Sequence, residues 1–171
     1  MAALSVRPPP WKTNIIISST LQEHEISGML TAGQQHRLRL SDSIQPGVII
    51  FPQSGTAFLL VEAPVLPDRE SELIGLIEKF VQIHRNHFVV LRTPVDGNAG
   101  PDALTLIQTR FFGSNLKVLP VQSNAEVVRG ILKIAKATSK PYVDLLQRHM
   151  SLAVAHIIET SNVWEVHRDA V

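Results

Sequence analysis

Apolar positions along this chain recur with two different periods, and the switches between them mark out the elements. Residues 13–19 form a β-branched, apolar run, which predicts a buried strand. Thr20 and Glu23 have the spacing of a capping box, predicting a helix from there to Gly33. Residues 36–40 alternate apolar and basic, as a half-exposed strand does. After a turn at 41–47, VIIFPQSGTAFLLVE (48–62) places two apolar strands around Ser54-Gly55, a hairpin in which glycine tolerates positive φ. Residues 64–67 are a break. Asp68 stands where it would cap a second helix, with Leu73, Leu76, Ile77, Phe80, Val81 and His84 on one face. Residues 87–91 are another buried strand, and 93–101, rich in Gly and Pro, read as a mobile loop. Leu104, Ile107, Phe111 and Phe112 mark a third helix closed by Gly113. A strand at 116–121 follows. Ser123 with Glu126 repeats the capping-box spacing and opens a fourth helix with Val127, Val128, Ile131, Leu132 and Ala135 inward.

Strands alternating with helices imply an α/β fold: a mixed, mainly parallel sheet flanked by helices, with the hairpin as its antiparallel part. A boundary is expected at 137–141, because Pro141 ends or redirects the fourth helix. The chain thus divides into a disordered leader (1–11), a central domain (12–137) and a short helical tail (138–171). In the tail, Leu146, Met150, Ala153, Val154 and Ile157 form a stripe, widened by Tyr142, Leu145, Leu152 and Ile158. There is no internal repeat and no low-complexity tract.

Composition narrows the function classes. In 171 residues, 44% are hydrophobic and 18% charged, the balance of a chain with a packed core. The formal net charge is only +1, so nucleic-acid binding would require a local basic patch or a partner. No cysteine is present, which excludes disulfides and thiolate metal sites. The opening MAALSVRPPPW is too short in its apolar stretch, and too interrupted by proline, for a signal peptide. No apolar run is long enough for a membrane span, so no membrane is expected.

No catalytic or metal set is assigned, and no cofactor. Glu62 ends a buried strand and Asp68 follows, but Ala63 and Pro64 stand between them where a nuclease would carry basic residues. Ser18, Ser19 and Thr20 at a strand-to-helix junction read as caps. The pairs His84/His87 and His149/His156 lack metal-site spacing, and no G-x-S-x-G elbow occurs. Lys133, Lys136 and Lys140 step along one helix face, with Arg148 beyond them. They are read either as a phosphate-contacting, DNA-binding patch or as a solvated helix face. The tail stripe must dock on its own domain or on another chain. Phe111, Phe112, Leu145, Leu152, Ile157 and Trp164 are the expected partner-binding residues, since aromatic anchors are enriched at interfaces. The adjacent Phe111 and Phe112 point about 100° apart on a helix, so one faces the sheet and the other outward.

Seven segments add a resemblance: NIIISST (14–20), SDSI (41–44), IIFPQSGTAFLL (49–60), IEKFVQIHRNHFVVL (77–91), RFFGSNLKVLPV (110–121), IAKATSKPYVD (134–144) and IIETSNVW (157–164). Together, and in this order, they resemble the meiotic sporulation-sixteen family of vertebrates, small ERCC-like relatives of the XPF nuclease superfamily. The resemblance covers most of the chain and is loose at both ends. It implies a degenerate XPF-like nuclease domain and a tail like a reduced helix-hairpin-helix module. No glycine follows Gly130 to build the phosphate-binding hairpin of such a module. XPF-type nucleases carry Gly-Asp, Glu-Arg-Lys and Asp, against which this chain aligns Phe51-Pro52, Glu62-Ala63-Pro64 and Asp68. The resemblance therefore implies a non-enzymatic subunit. Its implied partner is the XPF-like shortage-in-chiasmata protein, the pair binding branched DNA on meiotic chromosomes in the nucleus and promoting crossover formation and synapsis. No small-molecule substrate is implied. Two alternatives stay open: a DNA-independent scaffold of recombination proteins, and a metal-dependent nuclease or hydrolase using Glu62 and Asp68.

Overall fold

The computed structural model describes residues 11–32, 36–95 and 99–169. Six strands form one sheet in the order β2-β1-β3-β4-β5-β6: β1 Asn14–Ser18, β2 Arg37–Ser41, β3 Val48–Phe51, β4 Thr56–Glu62, β5 Asn86–Arg92 and β6 Lys117–Val121. β3 runs antiparallel to both neighbours, while the β1–β2, β4–β5 and β5–β6 pairs are parallel. The helices are α1 Glu25–Thr31, α2 Glu70–Ile83, α3 Ala99–Arg110, α4 Asn124–Thr138 and α5 Lys140–Asp169. The expected α/β class with a mixed, helix-flanked sheet is what forms.

The two-residue period of the strands sorts their side chains between two cores. On β4 and β5, Phe58 and Val90 join Ile15, Ile17 and Phe51 under α1 and α4, where Ile26, Val127, Ile131 and Ala135 close the layer. The alternate positions Leu59, Val61, Val89 and Leu91 pack under α2 and α3 against Ile77, Phe80, Ala103 and Ile107. Two glycines permit close approaches. Gly47, at φ +76°, accepts a hydrogen bond from Leu60 N at 2.9 Å, and a β-carbon there would lie 3.2 Å from Leu60 O. At Gly130 a β-carbon would meet the Leu119 side chain at 2.8 Å, so a larger residue there would make that leucine shift.

Several predicted boundaries move, each for a local reason. Thr20 does not cap α1. Ser18 Oγ accepts from Thr20 N, which closes a single 3-10 turn at Ser19–Leu21. The helix begins at Glu25, capped by His24 Nδ1 accepting from Ile26 N at 3.2 Å. Thr20 Oγ1 is used across the chain instead, accepting from Gly47 N at 3.0 Å. Gly33, the expected stop, lies outside the described residues. Asp68 sits inside a 3-10 turn (Pro67–Arg69), and α2 starts after it without a side-chain cap. Helix α3 begins within the predicted loop, with Pro101 in its first turn, where a missing N–H costs no helical bond. Phe111 and Phe112 follow α3 rather than ending it, and Gly113 at φ +87° turns the chain. Trp11, placed in the leader by its sequence, packs on the first core and edge-on to His36 at 5.3 Å.

Pro141 does not terminate α4. That helix stops at Ser139, whose extended backbone (ψ 143°) breaks the ladder and whose Oγ donates to Lys136 O at 2.8 Å. Pro141 is the second residue of α5, and Val143 N donates to Ser139 O at 2.9 Å as the new helix starts. The tail is then one helix of 30 residues, about 45 Å long. A hairpin needs a second helix and a turn, and neither occurs between residues 140 and 169.

Burial sets a pH dependence. Desolvation holds His36 and His84 below the ordinary imidazole value of 6.5, and the neighbouring His87 lowers His84 further. His36 Nδ1 also accepts from Thr13 N at 3.3 Å, a bond lost on protonation. The unfolded chain therefore takes up protons first as pH falls through 6.5, so stability is at its plateau above that value and declines below it. Urea midpoints should fall between pH 7.5 and about 5.5, and His84→Gln should flatten that decline; a midpoint independent of pH across the window contradicts this account.

Candidate functional site

Open α/β sheets hold ligands at the carboxyl ends of strands where the following helices leave for opposite faces. Here β1 leads to α1 on one face and β4 leads to α2 on the other. Three side chains meet at that point. His24, from the β1–α1 connection, lies with Nε2 3.0 Å from Glu62 Oε1 at the end of β4. Arg92, at the end of β5, donates from Nη2 to the same oxygen at 3.1 Å. Because His24 Nδ1 accepts from Ile26 N, the neutral ring must carry its proton on Nε2 and donate it to Glu62. The hydrogen bond from His24 holds the Glu62 carboxyl below its ordinary value, partial burial opposes this, and the charge and hydrogen bond of Arg92 add to the lowering. The carboxylate is engaged by two donors from neighbouring elements.

The nuclease register expected from the sequence does not survive the topology. Phe51 pairs with Thr56 beside the hairpin turn, whereas Glu62 ends the strand six residues on, about 20 Å away. Phe51 is fully buried, edge-on to Phe58 at 5.6 Å. Across the hairpin, Gly47 and Val48 stand opposite Leu60 and Leu59, short of Glu62, and Val48 is wholly buried. Among the described residues no group of three or more His, Asp or Glu side chains is placed to share a metal. His87 Nδ1 donates to His84 O at 2.7 Å, so that pair is joined through its backbone.

A second surface lies at α4 and α5. α4 buries Val127, Ile131 and Ala135 against the sheet, which turns Arg129, Lys133 and Lys136 outward, all exposed. The sequence reading missed Arg129, although it stands four residues before Lys133 and so shares its face. Arg148 is exposed on α5; the side chain of Lys140 lies outside the described ones. The α4 capping box forms with one displacement: Ser123 Oγ accepts from Glu126 N at 3.2 Å, while Glu126 Oε2 accepts from Gln122 N at 2.8 Å.

From Leu146 to Ile158 every α5 side chain is exposed. Leu146, Met150, Leu152, Val154, Ile157 and Ile158 keep 44%, 66%, 65%, 52%, 61% and 53% of their surface, far above core values. At about 100° per residue, Leu146, Met150, Val154 and Ile157 share one side, while Leu152 lies about 160° around from Met150 and Val154. Leu152 therefore does not belong to the stripe the sequence assigned it to. The side chains of Leu145 and Trp164 lie outside the described ones. Phe111 is half-buried and packs against the core under α2 and α3, whereas Phe112 is 92% exposed.

The family model described as Protein SPO16 homolog matches residues 9–170. A curated human protein (Homo sapiens) of that name, Protein SPO16 homolog, is 42% identical over 156 residues, covering 91% of this chain and 86% of the human one. With the match spanning central domain and tail alike, the chain belongs to the Protein SPO16 homolog family.

Proposed function

We propose that this chain is a non-enzymatic meiotic protein that pairs with a larger XPF-like subunit, the shortage-in-chiasmata protein, and that the pair binds branched DNA in the nucleus to promote crossover formation and synapsis. The observation that carries the reading is α5: a helix of about 45 Å with a row of apolar side chains on one side, exposed to water. A lone helix gains nothing from an exposed apolar row, whereas a partner helix would bury it. The domain is read as a degenerate XPF-like nuclease domain. Ala63 and Pro64 replace basic residues, and Glu62 is engaged by His24 and Arg92. The tail is read as what remains of a helix-hairpin-helix module.

DNA contact is assigned to Arg129, Lys133, Lys136 and Arg148, acting on phosphates rather than on base edges. The test is a titration of the purified heterodimer against a labelled four-way junction and a matched duplex over a range of salt. Charge reversal of Arg129, Lys133 and Lys136 to Glu should weaken junction binding and lower the salt slope by up to about 0.9 per lost phosphate contact, roughly 3 in all. Unchanged affinity and slope in that variant would put the DNA contact elsewhere in the pair, whereas a stable heterodimer with no preference for the junction would support the DNA-independent scaffold, which the net charge of +1 favours.

A further inference from the structure

The two edges of the sheet are built differently. β6 carries Lys117 and Pro120, both of which discourage a further strand. β2 (RLRLS) has no proline, and among the described residues it pairs with β1 alone. Arg37 N donates to Thr13 O at 3.1 Å, which sets the parallel register Asn14↔Arg37. In that ladder the amides and carbonyls of Arg37 and Arg39 face β1, so those of Leu38 and Leu40 point out along the open edge.

The side chains divide by face. Leu38 packs against the core under α1 and α4, and Leu40 on the same face keeps 41% of its surface exposed. Arg37 and Arg39 stand exposed on the opposite face, about 6.6 Å apart. Neither guanidinium has an ion-pair partner among the described residues. The helices on that face, α2 and α3, pack over β3, β4 and β5, leaving β1 and β2 to one side.

We propose that β2 is a docking edge for an extended segment of another protein in which acidic and apolar residues alternate, added as a seventh strand. Its backbone would pair with Leu38 and Leu40, its apolar side chains would cover Leu40, and its carboxylates would meet Arg37 and Arg39. Strand addition takes affinity from the main chain and specificity from alternate side chains. Charge argues for the source: residues 1–10 contain Arg7 and no acidic residue, so this segment lacks the carboxylates the two arginines would meet, and another chain is the occupant. This edge is separate from α4 and α5, and the inference does not depend on the heterodimer.

The test is to pan a display library of random peptides, about twelve residues long, on the full chain and on an Arg37→Glu/Arg39→Glu variant. On the unaltered chain, selected peptides should show acidic residues at every second position with apolar ones between. On the variant, basic residues should replace the acidic ones. Fluorescence anisotropy of a selected peptide should show roughly tenfold weaker binding to the variant, or about 1.4 kcal/mol. Methylating the peptide's backbone nitrogens should abolish binding without touching the protein's fold. Selection of peptides lacking the alternation, indifference to the Arg variant, or tolerance of backbone methylation would each overturn the proposal. So would a labelled single-stranded oligonucleotide that binds through Arg37 and Arg39 while no peptide is selected.

Discussion

Met150→Asp is expected to abolish formation of the proposed heterodimer while leaving the folded chain as stable as before. Met150 is 66% exposed, and surface substitutions of this kind change stability within about 0.5 kcal/mol. In the complex the same position would lie in the middle of the apolar row, between Leu146 and Val154. Burying an unpaired carboxylate there costs about 3 kcal/mol or more, a loss of at least roughly a hundredfold in affinity. Leu152→Asp adds the same charge one half-turn away and should cost far less, because Leu152 lies about 160° from the row. Measurement by co-purification and by calorimetric titration with the partner separates these variants. Wild-type affinity for Met150→Asp, or an equal loss for Leu152→Asp, would put the contact on a different side of α5. Met150→Ala controls for the lost side chain without the charge.

Phe58→Ala should lower the unfolding free energy by about 3–5 kcal/mol, a large share of the roughly 5–15 kcal/mol typical of a domain. Phe58 is fully buried near the middle of β4. Its ring meets Phe51 edge-on at 5.6 Å and stacks on Phe88 at 5.3 Å with 22° between the planes. Removing it opens a cavity where β3, β4 and β5 share one face, beneath α4. Such a site has little freedom to collapse, because strand spacing is set by the ladder. Urea denaturation should show a lower midpoint with an unchanged slope. Phe112→Ala, at a side chain 92% exposed, should move the midpoint hardly at all. A loss under about 1 kcal/mol for Phe58→Ala would mean that the two aromatic contacts are not formed in solution.

The strand and helix periods identified every long element, because side-chain periodicity is imposed by the element itself. All six strands and α2, α4 and α5 lie within a few residues of their expected places. Local chemistry also decided the hairpin, with Gly55 at φ +66°, and the Ser123 cap. The misses share a cause. Thr20 has the spacing of a cap, yet its hydroxyl accepts from Gly47, 27 residues away, and His24 takes the capping role. Asp68 also stands where a cap would be expected, but the chain leaving β4 is still turning there, in the 3-10 turn Pro67–Arg69.

The candidate sites divide along the same line. Runs of charge and apolar residue on a single helix depend only on about 3.6 residues per turn, so the basic face of α4 and the apolar row of α5 could be read from the chain alone. The sequence by itself determined the α/β class, the elements and these one-helix surfaces, since each follows from spacing within one segment. Only the tertiary structure decided which distant residues meet. It joined Glu62 to His24 and Arg92, put Phe51 at the hairpin turn far from the end of β4, and made β2 an edge strand among the described residues. Those pairings span tens of residues, and they follow from strand order and the hand of the crossovers, which no local spacing encodes.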